Sequence, residues 1–252
     1  MNTFSLRGKT ILITGASSGI GAGCCILLSR QGADIILVGR DTARLSGVLK
    51  ELEPGDHSVL SIDLADIEDI ETELLPVLEK YKKIDGFIHS AGIDITLPLA
   101  NLTNSLYLNI FSINVFSALE ISRILSKKKF IPDGGSSFIF ISSIMGVTGS
   151  SGKTAYSASK GALISACRSM AIELVPKKIR VNCISPAIVQ TKLVEDLFSS
   201  LSDEAVNSIV KAHPSGLGKP GDIASACLYL ISEESRWITG SNLVIDGGYS
   251  IV

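Results

Sequence analysis

Short apolar runs alternate with longer amphipathic ones along the whole chain. The runs KTILIT (9–14), DIILVG (34–39), SVLSID (58–63), IDGFIHS (84–90), SSFIFIS (136–142), IRVNCIS (179–185) and NLVIDGG (242–248) read as seven strands. Most are continuous apolar stretches, the pattern of parallel strands covered on both faces. Between them, helical periodicity predicts helices at about 19–30, 42–52, 67–81, 102–128, 155–175 and 221–232, the fifth stopped by Pro176. Regular strand–helix alternation predicts an α/β fold with one parallel, doubly wound sheet and helices on both faces. No linker, low-complexity tract or repeat interrupts the pattern, so residues 1–252 are expected to form one domain. The least regular stretch, 190–218, is expected to turn helical from about Lys192 and to lie over a site as a lid.

Composition narrows the function classes. With 46% apolar and 19% charged residues the chain has the makings of a large core, and a net charge of −2 lacks the basic footprint of a nucleic-acid partner. Cys24, Cys25, Cys167, Cys183 and Cys227 sit in apolar segments without CxxC spacing, as buried reduced thiols of a cytoplasmic protein do. His57, His89 and His213 are far apart and lack ligand spacing, so no metal is expected. No apolar run in the sequence reads as a membrane span, and no membrane partner is expected.

Three places carry candidate chemistry. TGASSGIG (14–21) follows the first strand and opens the first helix. Its glycines allow close backbone approach, and the helix start offers unpaired N–H groups to a pyrophosphate, so a dinucleotide site is expected there. The second strand ends in GRD, with Arg40 where an acidic residue would bind a ribose 2′-hydroxyl. An arginine at this place accommodates a 2′-phosphate, favouring NADP(H) over NAD(H). YSASK places Tyr156 and Lys160 four residues apart, on one face of a helix. An ammonium near a phenol favours the phenolate and would bring its pKa toward the working range of an acid/base catalyst. Ser143, at the end of the fifth strand, can hydrogen-bond a substrate oxygen. Asn114 lies in an apolar helix where an amide is unhelpful for packing, and a local helix irregularity with a water linking Lys160 to solvent would explain it.

These motifs, in order with Asp63-Leu64, HSAG (89–92), ISS (141–143), SPAIVQT (185–191), GKPGDIA (218–224) and ITGSNLVIDGG (238–248), resemble the short-chain dehydrogenase/reductase family. The match runs from Gly8 to Gly248 and is nearest to the type that includes 3-oxoacyl-acyl-carrier-protein reductases. The resemblance implies a Rossmann-like fold with a seven-stranded parallel sheet and a catalytic tetrad of Asn114, Ser143, Tyr156 and Lys160. Gly15, Ser17, Gly19 and Ile20 would line the pyrophosphate and ribose path, and Asp63 with Leu64 would hold the adenine. Ala91 and Gly92 would pack on the adenosine, while Pro186, Val189 and Thr191 would hold the nicotinamide carboxamide. Three departures stand out: His89-Ser90 where the family usually has two asparagines, Ala187 after Pro186 where it usually has glycine, and Ser18 where NADP-using relatives often carry a basic residue.

The implied reaction is hydride transfer between a nicotinamide and a carbonyl or secondary alcohol. Met145, Val147, Ile95, Leu193, Leu197 and Phe198 are expected to line an apolar pocket, suited to a 3-oxoacyl thioester, carrier-bound or free, or a similar ketone. Sugar, polyol or steroid alcohol oxidation, and a non-catalytic dinucleotide sensor, remain alternatives. The lysines at 127–129 and 177–178 are either a docking surface for an acidic carrier or solvated helix ends. The resemblance also implies a homotetramer.

Overall fold

Residues along each strand send their side chains alternately to opposite faces of the sheet, and in this chain both sets are apolar. The computed structural model describes residues 3–199 and 201–251, and the side chain of Leu193 lies outside what is described. Seven strands, β1 (Thr10–Thr14), β2 (Asp34–Gly39), β3 (Ser58–Ser61), β4 (Gly86–His89), β5 (Ser136–Ile141), β6 (Ile179–Pro186) and β7 (Asn242–Ile245), pair in the order β3-β2-β1-β4-β5-β6-β7. Every pairing is parallel. The expected seven-stranded doubly wound sheet is therefore what the chain forms.

Leu12, Val38, Phe87, Phe138 and Val181 face one layer, made by α3 (Ile70–Tyr81), α5 (Ser117–Leu125) and α6 (Thr154–Leu174). Ile13, Leu37, Ile88, Ile139 and Ile184 face the other, made by α1 (Gly19–Arg30), α2 (Thr42–Leu49) and α9 (Pro220–Ile231). Burying strands on both faces accounts for the continuous apolar runs. All five cysteines are buried thiols.

Two differences from the sequence expectation matter. The helix expected over 102–128 is broken into α4 (Asn104–Phe111), a π turn (Ser112–Phe116), which is the local irregularity expected at Asn114, and α5, then a short 3₁₀ turn. The stretch Asn104–Leu125 also has the length and mean hydropathy, 1.3, to cross a membrane, which the sequence reading did not expect of any run. Ile110, Ile113, Val115, Ile121, Ile124 and Leu125 of this stretch are instead buried, and 56% of the apolar window is buried inside the fold. The 190–218 segment is helical as expected, with α7 (Lys192–Ser199) and α8 (Asp203–Lys211). No described residue of α8 is buried, and the returning chain is tied down by a parallel bridge between Val189 and Gly218.

Candidate active site

The sheet order reverses between β1 and β4, and open α/β sheets bind ligands at the C-terminal edge beside such a reversal. Gly15 leaves β1 with φ 65°, and a Cβ there would lie 2.7 Å from the backbone nitrogen of Ala91. A Cβ on Gly21 would stand 2.2 Å from the Gly15 carbonyl. Side chains at these positions would force the 14–21 loop open. Ser18 is the N-cap of α1, but its hydroxyl makes no capping bond, so the first amides of the helix are left for an anion. Ser17 and Ile20 are half-buried along the same loop. Across the groove, a Cβ on Gly19 would lie 3.0 Å from Thr191 Cγ2, so Thr191 closes over the first loop. Pro186 ends β6, and Val189 is 6% exposed in the core beside α1 and α9.

At the end of β2, Asp41 is occupied as the N-cap of α2, accepting from the Arg44 amide at 3.0 Å. Arg40 is left as the exposed charge, 3.9 Å from the Asp63 carboxylate, which also accepts from the Ala65 amide at 3.0 Å. Leu64 beside it is buried. Glycine-only positions and an uncapped helix start together fit the pyrophosphate of a dinucleotide.

The second half of the edge is a buried polar cluster. Asn114 is fully buried within the π turn. Its Oδ1 accepts from the Ile93 amide at 2.8 Å, and its Nδ2 donates to the Ile93 carbonyl and the Ser159 hydroxyl, both at 3.0 Å. The irregular turn thus places an amide inward to brace the chain leaving β4. Lys160, 4% exposed, donates from Nζ to the Ile141 carbonyl at 2.8 Å. A Cβ on Gly92 would lie 3.2 Å from this Nζ and 3.3 Å from Asn114 Oδ1, so the glycine makes room for both. Ser142 Oγ donates to the Lys160 carbonyl at 2.8 Å and locks α6 to the strand end, while Ser143, next along, faces Tyr156.

Burial dominates the electrostatics. It pushes the Tyr156 phenol up to about 12; the Ser143 hydroxyl opposes this and the Asp94 carboxylate adds to it. Burial also brings Lys160 down to about 8, with Cys183 and Asp94 pulling the other way. The ammonium stands 5.7 Å from the Tyr156 ring centroid. The expected lowering of the phenol pKa is therefore not built into the protein groups themselves. His89, held near 3 by burial, is a neutral strand-end residue paired with the Thr14 hydroxyl at 3.0 Å, as expected of a packed residue rather than a proton donor.

The structure brings the four tetrad candidates and the cradle residues to one edge. The sequence reading missed a charged pair on the outer side of Tyr156: Lys153 Nζ lies 2.5 Å from both Asp94 Oδ2 and Thr96 Oγ1, and 5.7 Å from the Tyr156 ring centroid. Only Lys153's place three residues before Tyr156, on the same helical turn, could have signalled it.

The family described as Enoyl-(Acyl carrier protein) reductase matches residues 15–250. The chain belongs to the short-chain dehydrogenase/reductase family. It is 31% identical to a 3-oxoacyl-[acyl-carrier-protein] reductase of Thermotoga maritima, over 98% of this chain and 99% of that one. It is 30% identical to an NAD-dependent glycerol dehydrogenase of Listeria innocua, over 98% and 96%. A dehydrogenase/reductase structure from Sinorhizobium meliloti superposes with a TM-score of 0.89 at 31% identity, covering 98% of this chain and 97% of that one. This short-chain dehydrogenase/reductase is thus an oxidoreductase acting on CH–OH groups with a nicotinamide cofactor.

Proposed function

We propose that this short-chain dehydrogenase/reductase reduces a ketone, a 3-oxoacyl thioester or a similar one, with Tyr156 as the proton donor. The observation that carries the reading is the convergence of Asn114, Ser143, Tyr156 and Lys160 at one sheet edge beside the glycine cradle. A bound nicotinamide supplies the hydride. Tyr156 gives its proton to the carbonyl oxygen, and Ser143 donates a hydrogen bond to that oxygen as charge builds on it. Lys160 holds a positive charge near the phenol and is anchored on β5; Asn114 holds the 93 backbone in place. A phenol kept protonated by burial suits the reductive direction.

The reading includes NADP(H) over NAD(H). Gly15, Ser17, Ser18, Gly19, Ile20, Ala91 and Gly92 line the cradle, Asp63 and Leu64 flank the adenine, and Arg40 takes the 2′-phosphate. Pro186, Val189 and Thr191 hold the carboxamide end. The whole chain acts as one unit, with 190–218 as the lid, in a cytoplasmic homotetramer. Leu108, Phe116, Leu243 and Val244, all exposed on α4, the π turn and β7, support the assembly. A carrier dock at the lysine runs draws less support: Lys127 pairs with Glu71, and Lys177 and Lys178 donate to the carbonyls of Ser126 and Asp133.

A second reading, oxidation of a polyol, is favoured by the charged Asp94–Lys153 pair, whose ammonium lies 5.7 Å from the Tyr156 ring centroid. The deciding experiment follows cofactor oxidation with acetoacetyl thioester, with NADPH and NADH side by side. Turnover preferring NADPH, with the preference lost in Arg40→Ala, is expected. Turnover of no carbonyl with either cofactor would overturn the reading.

A further inference from the structure

The mouth of the site, on the outer side of Tyr156, is not the apolar surface that an acyl chain would favour. Two loops meet there. The Leu97 amide donates to the Gly152 carbonyl at 2.9 Å, and a Cβ on Gly152, which has φ 77°, would lie 3.2 Å from Thr96 Cγ2. This zipper presents Lys153 and Asp94 together, their side chains 18% and 30% exposed. An ammonium has three N–H donors. Two are directed at Asp94 Oδ2 and Thr96 Oγ1, which leaves one. Asp94 Oδ1 has no hydrogen-bond partner among the described residues, which leaves one acceptor beside that donor.

A paired donor and acceptor matches a hydroxyl group, which gives one hydrogen bond and takes one. A hydrocarbon chain laid over the pair would remove water from two charges and return nothing. A carboxylate or phosphate would meet Lys153 but be repelled by Asp94.

We infer that Asp94, Lys153 and Thr96 form a hydroxyl-recognising subsite beside Tyr156, and that among ketones the site prefers one with a hydroxyl on the neighbouring carbon, interconverted with a vicinal diol, over the acyl thioester named above. The inference rests on the reading of Tyr156 as proton donor. In the reductive step the carbonyl C–O π bond breaks, the carbon gains a hydride from the reduced nicotinamide, and the oxygen gains the Tyr156 proton. The neighbouring hydroxyl is untouched and serves only to orient the ketone.

The test compares hydroxyacetone with butanone, which has a methyl where hydroxyacetone has its hydroxyl, alongside acetoacetyl thioester. A site built to bond a hydroxyl discriminates strongly against the analogue lacking it, so kcat/KM for hydroxyacetone should exceed that for butanone by about tenfold or more. Asp94→Asn and Lys153→Met should each bring that ratio down toward one, chiefly through KM for hydroxyacetone. Because the readout is a ratio within one protein, partial loss of folded enzyme does not imitate it. A wild-type ratio near one, or a ratio preserved in both variants, overturns the subsite. Turnover of the thioester with a ratio near one leaves the oxidoreductase reading standing and removes the subsite alone. Failure of all three carbonyls with both cofactors removes both.

Discussion

Two ammonium groups stand 5.7 Å from the ring centroid of Tyr156, one from the turn before it and one from the turn after it, and they are built in opposite ways. Lys160 is almost fully buried and bonded to the backbone of β5, and its charge is destabilised enough to bring its pKa to about 8. Lys153 is part-exposed and bonded to side chains of a separate loop, with a carboxylate balancing it. The inner lysine is positioned by main chain that the sheet itself fixes. The outer one is positioned by loop side chains that can be replaced without disturbing a strand. Loops on a rigid scaffold are where specificity is commonly carried. On the function proposed above, the reaction belongs to the inner side of Tyr156 and the choice of substrate to the outer side.

Breaking the inner side should cost most. Tyr156→Phe removes the proton donor and keeps the ring, so kcat should fall by about 10³-fold or more while NADPH titration shows binding within a few-fold of the original. Activity near the original level would remove Tyr156 from the mechanism. Asn114→Ala should come next. It strands the Ile93 amide and carbonyl and removes the bond that the Ser159 hydroxyl accepts, for a loss of about 2–4 kcal/mol in urea unfolding. An unchanged midpoint would mean that water replaces the amide at no cost.

Lys160 gives a pH test of how deeply the inner side is buried. Its folded pKa, about 8, lies below its value of 10.5 in water. Between those values the unfolded chain binds the proton that the folded chain has released, so raising pH stabilises the fold there; below about 8 both states are protonated and the contribution is constant. Relative to Lys160→Met, the wild type should therefore gain stability from pH 8 to 10.5, by up to about 3 kcal/mol. The difference is the useful quantity, because Cys25, Cys183 and Cys227, whose thiols burial helps raise, act in the opposite sense over the same range. A difference independent of pH would place Lys160 in contact with water.

The same contrast explains what could be read from the chain. The seven strands were legible because each is covered on both faces, and continuous apolar runs such as IILVG have few other uses. The tetrad candidates could be picked out because a motif fixes Tyr156 and Lys160 on one helical face. Asn114 stood out as an amide in an apolar helix, yet the π turn that carries it depends on how the π turn packs against α6, which periodicity does not report. Asp94 and Lys153 were not legible: they lie 59 residues apart, one in the loop after β4 and one at the N-cap of α6, and only the folded chain brings them together. The apolar pocket read from Val147, Ile95 and Leu197 omitted them for that reason, and its Leu193 lies outside the described side chains.

The smallest expected effect is the one that separates the two sides most cleanly. Four groups bear on the phenol: Ser143 from just past β5, Lys153 from the N-cap of α6, Lys160 from α6 itself, and Asp94 from the loop after β4. Of the charges, Asp94 is the one that raises its pKa. Asp94→Asn removes the charge at nearly constant shape, so the phenol should lose its proton at lower pH. In diol oxidation the required form is the phenolate, and the rising limb of the kcat profile should move to lower pH, by less than about one unit. In ketone reduction the required form is the phenol, and the falling limb should move the same way. Asp94→Glu keeps the charge and should leave both limbs near their original place. A limb that stays fixed in Asp94→Asn, or moves to higher pH, would mean that the outer pair governs only which substrate enters and that the proton-transfer group is tuned entirely from within the fold.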